Sequence, residues 1–429
     1  MKTIRKLTLS VFCILVSSIC ACNKQDIGGS ETVYEITERK DISLTTKQVE
    51  CIQFGNKLAF DYIRTIVKKP WLIDQQAGQD FFISPLGLDY LLGLLNCGAT
   101  GDGAEEILSV FGLSKEDGAE LNEYIQSLTS QLKDIDPLVT ICSANIGYIN
   151  TNKFELEESY SNAVKQYYDA DVTAEDFNDC DSLTLCLNSF CEEKTQGMIP
   201  FIYQINPWDN FVLLNALYYK GIWKSRFEKE NSCNELFTKR DGTSISVWMM
   251  KQKGTFLYKK EDGFKVACLP YGNEAYQMYV LLPDNGFNTD AIIDRLNASE
   301  WSNMISTMKP SPLEMWLPAF ESISDYSITN VLPELGLGSI LKSGNLDLMA
   351  KAIEANKVIQ KSVIRVSEEG TEAAAITGVV WDTIDLHSST PSDPSTIKFH
   401  ASNPFLYLIT EQSTGAILYA GRYEGSDEE

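Results

Sequence analysis

Apolar residues recur at roughly helical spacing through the first folded stretch of the chain. Over 41–67, Ile52, Phe54, Leu58, Phe60, Ile63 and Ile66 mark one face of a long amphipathic helix, stopped by Pro70 and the polar DQQAGQD. FFISP, 81–85, reads as a short buried strand or turn. Ser84 then offers an N-cap, and Pro85 a first helical residue, for the mostly buried helix LGLDYLLGLLNC, which ends at Gly98. Asp102 and Glu105 suit a capping box for AEEILSVF, and a further helix covers about 117–131.

From 140 the character changes. TICSANIGYI, 140–149, reads as a strand, ESYSNAVKQYY as a helix, and SLTLCLNSFCEEKTQG as a helix ending near Gly197. FVLLNALYYKGIW, 211–223, carries few charges, as a central strand buried on both faces would. VACLPY and YQMYVLL, separated by GNEA, fit a hairpin. LEMWLPAF is another strand, and YSITNVLPELGL a short helix around Pro333. Helices come first and strands mostly later, with no clean βαβ repeat, so the expected class is α+β in one domain.

The pattern is unusual from Lys357 to Tyr423. KVIQKSVIRV, 357–366, suits a strand bordering a core, while FLYLI, 405–409, and ILYAGRY, 417–423, read as buried terminal strands. Between them, Gly370, Ala373, Ala374, Ala375 and Gly378 have almost no side chain, whereas Thr371, Ile376, Thr377, Val379 and Val380 favour extended backbone. Such a strip could sit in solvent or slide into a tight sheet. On composition alone EEGTEAAAI also suits a short surface helix. The segment that follows, VVWDTIDLHSSTPSDPSTIK, has the Ser, Thr, Asp and Pro content of an exposed loop.

Charge and the N-terminus change the picture further. The formal net charge is -23, and -26 once residues 1–21 are removed, which argues against nucleic-acid or anionic-membrane binding through a broad surface. Lys2, Arg5 and Lys6 precede the apolar run Leu7–Ile19, a secretory signal too short to span a membrane comfortably. Ile19-Cys20-Ala21-Cys22 resembles a bacterial lipobox, which makes Cys22 the lipidated first residue of the mature chain; an ordinary signal cleaved nearby is the alternative. Residues 22–44 then form a flexible tether and 45–429 the folded domain. Of the eleven cysteines, eight lie beyond Cys22, without a CxxC pair; Cys180, Cys186 and Cys191 match no zinc spacing, and a disulfide among them stays open.

Candidate chemistry is sparse. Of the two histidines, His387 sits in the polar loop and His400 just beyond it, and neither has a G-x-S-x-G elbow or H-E-x-x-H partner. GATGDGAEE lacks the Lys-Ser/Thr of a phosphate loop, and adjacent carboxylates mean little among 59 acids. Core packing is the default for the tryptophans, Trp381 excepted. Catalytic residues, metal ligands and cofactors are therefore all expected to be absent.

Six motifs in order resemble the serpins, the serine-protease-inhibitor fold, over about 45–423. They are Phe81-Phe82-Ile83-Ser84-Pro85 with Leu91, Gly98-Ala99-Thr100-Gly101 and Glu105-Glu106-Ile107; Leu214-Asn215-Ala216-Leu217-Tyr218-Tyr219-Lys220-Gly221-Ile222-Trp223 with Phe227; Leu269-Pro270-Tyr271 with Leu282-Pro283; Pro318, Phe320, Leu332, Leu335 and Gly336; Glu368-Glu369-Gly370-Thr371-Glu372-Ala373-Ala374-Ala375; and Asn403-Pro404-Phe405-Leu406 with Gly421-Arg422. The fifth resembles the reactive-loop hinge of inhibitory members, and it displaces the surface-helix reading.

The resemblance implies helices packed around three mainly antiparallel β-sheets, with a reactive loop at about 368–396. It implies a covalent suicide inhibitor: a protease cleaves the loop, stays attached as an acyl-enzyme, and is dragged away as the loop inserts into the large sheet. Family spacing puts the reactive bond at Ile384–Asp385. The expected target is elastase-, subtilisin- or chymotrypsin-like, because no Lys or Arg lies between Gly370 and Ile397. Ser84, Asn215 and Gln360 fall in the shutter where the sheet parts, with Gly87 replacing a hydroxyl and Gln360 a histidine. Ile376 is larger than the usual alanine, and the loop is longer than usual by roughly nine residues. The implied protein is a monomer, held to a membrane only through Cys22. A non-inhibitory serpin-like binding or structural protein is the alternative, with a hydrolase behind it.

Overall fold

Thr45 starts the first helix, α1 (Thr46–Lys68): its hydroxyl accepts from the Gln48 amide while the Gln48 side chain accepts from the Thr45 amide. This capping box sets the helix start later than the apolar periodicity suggests. In the same way Ser84 caps α2 (Pro85–Asn96), accepting from the Gly87 amide at 3.0 Å. The capping box expected at Asp102 and Glu105 does not form. The helix there, Gly101–Val110, begins after Thr100, whose hydroxyl donates to the Gly344 carbonyl; Asn345 supplies the cap by accepting from the Gly103 amide at 2.9 Å. The segment around Pro333 forms two 3-10 turns, Ile328–Asn330 and Leu332–Leu335, rather than an α-helix, because proline lacks the amide that a longer ladder needs.

This computed structural model describes residues 37–73, 75, 78–286, 288–371 and 396–425. Among them the strands form two mixed sheets, of nine and six strands, and not three. The cause is one 18-residue strand, Ser244–Glu261. It pairs with Cys233–Thr238 near its start, with Lys309–Pro318 through its middle and with Phe264–Pro270 at its end, so ladders expected in separate sheets share a strand. Its lysine-rich sequence hides it from a search for apolar runs.

The six-stranded sheet positions the site. Its strands are β1 (Val139–Asn150), β2 (Asp171–Glu175), β3 (Phe211–Ile222), β4 (Phe320–Ser327), β5 (Lys357–Val366) and β6 (Gly370–Thr371), in the order β4-β5-β6-β3-β1-β2. As expected, β3 is buried on both faces. Leu213, Leu217 and Tyr219 enter the large core with α1 and α2; Val212, Leu214 and Ala216 enter a second cluster with Leu187 and Cys191 of α3 (Cys180–Lys194). On β5 the same alternation sends Val358, Ile364 and Val366 to the large core and Ile359 and Val363 to the second. Each such side chain contributes roughly 1.5–3 kcal/mol on burial.

Candidate functional site

From Lys357 to Val363, β5 pairs directly and in parallel with Val212 to Tyr218 of β3. Above that point the two strands accept a third between them. Gly370 lies opposite Ile222, and Thr371 lies opposite Gly221 on one side and Val366 on the other, antiparallel to both neighbours. Glycine is required at 370 because a Cβ there would strike the Gly221 carbonyl oxygen. Thr371 is fully buried, and its hydroxyl is hydrogen-bonded to Tyr271 Oη at 2.6 Å. Burial pushes the Tyr271 phenol well above its ordinary range, so it stays a neutral hydroxyl.

Aromatic residues fix this entrance. The Tyr271 ring stacks on Trp223 at 4.3 Å and meets Tyr219 edge-on at 5.3 Å. Trp223 Nε1 donates to the Ser367 carbonyl and its amide to the Glu369 carbonyl, both at 2.9 Å; the Phe227 amide donates to the Glu368 carbonyl at 3.0 Å. Trp248 Nε1 donates to Glu368 Oε1 at 2.6 Å, and Lys229 lies 3.5 Å from Glu369. The expected hinge residues Glu368, Glu369, Gly370 and Thr371 are thus brought together where the direct pairing of β3 and β5 ends. Thr371 is strand, not surface helix.

Lower on the same two strands, Gln360 on β5 and Asn215 on β3 are register partners, both fully buried. Gln360 Nε2 donates to the Ser84 carbonyl at 2.8 Å, and the Ser84 amide donates back to Gln360 Oε1 at 3.2 Å. Asn215 Nδ2 instead donates to Asn145 Oδ1 at 2.7 Å, leaving Asn215 Oδ1 buried without a hydrogen-bond partner among the described residues. Ser84, Asn215 and Gln360 therefore form two adjacent pairs rather than one network. Gly87 explains how glutamine fits: a Cβ there would stand 2.5 Å from Asn215 Oδ1 and 2.8 Å from Gln360 Nε2.

Cys22, Glu372, Ala373, Ala374, Ala375, Ile384, Asp385, Trp381 and His387 lie outside the described residues. His400, beyond the loop, ends the strand Ile397–His400, stacks on Trp316 at 3.9 Å and lies 3.3 Å from Glu314, while burial lowers its pKa. Trp71, Trp208 and Trp248 are exposed, against the core reading. Cys180, Cys186 and Cys191 are free thiols, and no metal-binding cluster occurs among the described residues. Residue patterns do not reveal that Trp223, Trp248 and Gly221 meet the hinge or that Asn145 meets Asn215. Trp223 and Gly221 stand in one sequence motif, but their meeting with the hinge is tertiary.

A family profile described as Serpin (serine protease inhibitor) matches residues 55–425. The chain is 30% identical over 373 residues to human (Homo sapiens) Serpin B11, covering 80% of this chain and 93% of that protein. It is 29% identical to mouse (Mus musculus) neuroserpin, covering 80% and 85% respectively. Among solved structures, native tengpin, a thermophilic serpin, superposes with a TM-score of 0.77 at 21% identity, over 92% of this chain and 98% of tengpin.

Proposed function

This chain belongs to the serpin family of serine protease inhibitors, proteins that are not enzymes, and on that premise we propose that it is a covalent suicide-substrate inhibitor of extracytoplasmic serine proteases, with cysteine proteases as the second target class. In this reading the target's nucleophile attacks the Ile384 carbonyl, the amine of Asp385 leaves, and an acyl-enzyme forms on the loop. The loop then extends β6 downward between β3 and β5. The protease, still esterified, travels with it before water can complete hydrolysis.

The observation that carries the proposal is β6 itself. It already lies between two strands that otherwise pair directly, in a register that both neighbours share. Continued downward, that register brings Val380 between Lys357 and Val212, where the direct ladder begins. Residues 371–380 supply one hinge carboxylate, Glu372, and no proline to obstruct passage. The lipobox reading adds a membrane tether through Cys22, with the folded domain on the extracytoplasmic side.

Mixing the mature protein with elastase-, subtilisin- and chymotrypsin-like serine proteases and with cysteine proteases tests the reading. A band that survives boiling in detergent, at the summed mass of inhibitor and protease, is expected. Clean cleavage without adduct across the whole panel would instead favour a non-inhibitory serpin-like protein.

A further inference from the structure

We propose that Cys233 and Lys251 form a modification site, at which a hydroperoxide oxidises the thiol and the lysine amine captures it as a sulfur–nitrogen cross-link between neighbouring strands. The inference stands apart from the inhibitory reading above. Cys233 opens the strand Cys233–Thr238 and lies opposite Met249 on Ser244–Glu261. Lys251, two residues on, is therefore its diagonal neighbour, within reach of a long side chain. Lys251 Nζ donates to Cys233 Sγ at 3.0 Å and to Glu235 Oε1 at 2.6 Å, and Sγ lies 3.7 Å from the same carboxylate oxygen. The ammonium also stands 4.0 Å from the centre of the Trp316 ring. Carboxylate and indole together hold the nitrogen against the sulfur, so the two reacting atoms start at a productive separation.

Exposure and neighbours single this thiol out. Desolvation pushes the pKa of Cys51, Cys97 and Cys191 up to about 12 and raises that of Cys142, Cys180 and Cys268, which keeps them protonated and unreactive. Among the described residues Cys186 is the other exposed thiol, and it has no lysine hydrogen-bonded to its sulfur.

As the thiolate, Cys233 attacks one oxygen of the hydroperoxide. An S–O bond forms, the O–O bond breaks, and the leaving oxygen takes a proton from the Lys251 ammonium. The products are an alcohol (or water), a sulfenic acid and a neutral amine. The amine lone pair then attacks the sulfur: an S–N bond forms, the S–O bond breaks, and the departing hydroxide takes a proton from nitrogen and leaves as water. Sulfur loses two electrons and the peroxide gains them.

The test treats the mature protein with hydrogen peroxide and maps its tryptic peptides by mass. Wild type should lose two hydrogens from the pair, lose cleavage after Lys251, and yield a peptide joining Cys233 to Lys251 that dithiothreitol releases. The Cys233 thiol should disappear about tenfold faster than that of Cys186. Lys251→Arg keeps a cation beside the sulfur but has no amine to condense, so Cys233 should stop at a sulfenic acid that dimedone traps. Dimedone capture at Cys233 in wild type without a joined peptide would overturn the proposal, as would equal rates at Cys233 and Cys186. If Lys251→Arg does not fold, the wild-type peptide map decides alone.

Discussion

Replacing Thr371 by arginine should convert the protein from inhibitor to substrate while leaving it folded. Thr371 is fully buried, and the substitution removes its hydrogen bond to Tyr271, worth about 1 kcal/mol. It also brings an unpaired guanidinium against the Trp223–Tyr271 stack, at a cost of several kcal/mol. What holds β6 in place is small by comparison: register pairs with Ile222, Gly221 and Val366, contributing about 1 kcal/mol each. The arginine therefore expels β6 and leaves the β3–β5 ladder closed beneath it. In the proposed mechanism insertion competes with deacylation, and each 1.4 kcal/mol added to the insertion barrier slows it about tenfold. If half of the penalty appears in the barrier, adduct formation falls by more than about tenfold. Densitometry of detergent-resistant adduct against cleaved inhibitor measures this, with Thr371→Ser as the control that keeps the hydroxyl. An unchanged covalent yield in the arginine variant, with normal folding, would refute the reasoning.

Cleavage within 379–386 should raise the melting temperature by about 10 °C or more, because one direct ladder is replaced by two; equal melts for intact and nicked protein would speak for a non-inhibitory member. Sequencing the C-terminal peptide released by an elastase-like protease should give a start at Asp385, whereas trypsin-like enzymes should leave 371–396 uncut, since it holds no Lys or Arg. Asp89 on α2 is buried, and desolvation pushes its pKa up to about 8. The folded state then holds that proton more tightly than the unfolded chain, so stability declines as pH rises from about 4 through about 8. Melts from pH 5 to 9 should show a flatter profile for Asp89→Asn, and identical slopes would contradict the assignment.

Local signals in the chain were legible where local physics decides. The Ser84 cap and the two-faced burial of Phe211–Ile222 each follow from a few neighbouring residues. Misses occurred where a distant segment supplies the partner. Asn345 caps Gly101–Val110 from far along the chain, and the lysines of Ser244–Glu261 disguise a strand whose pairing merges two expected sheets. Sequence resemblance singles out Glu368 to Thr371, but nothing local tells that Trp248 holds Glu368 or that Thr371 meets Tyr271. Gly87 and Gln360 looked like two separate departures from the family pattern. In space they are one: glycine makes the room that glutamine occupies.

That exchange bears on how the sheet opens. The two buried carboxamides flanking the β3–β5 junction direct their hydrogen bonds away from it, Gln360 to Ser84 at the start of α2 and Asn215 to Asn145 on β1. Parting β3 from β5 must break the backbone ladder between Lys357–Val363 and Val212–Tyr218, but it can leave both of these side-chain pairs intact. A group that bonded across the junction would add its own loss to the barrier, and because the site is buried that loss would be a full desolvation penalty. Here the closed sheet is held at this level by backbone pairing. Under the proposed insertion, a strand entering from β6 would restore that pairing on both sides row by row, and each row exchanged would relieve the next.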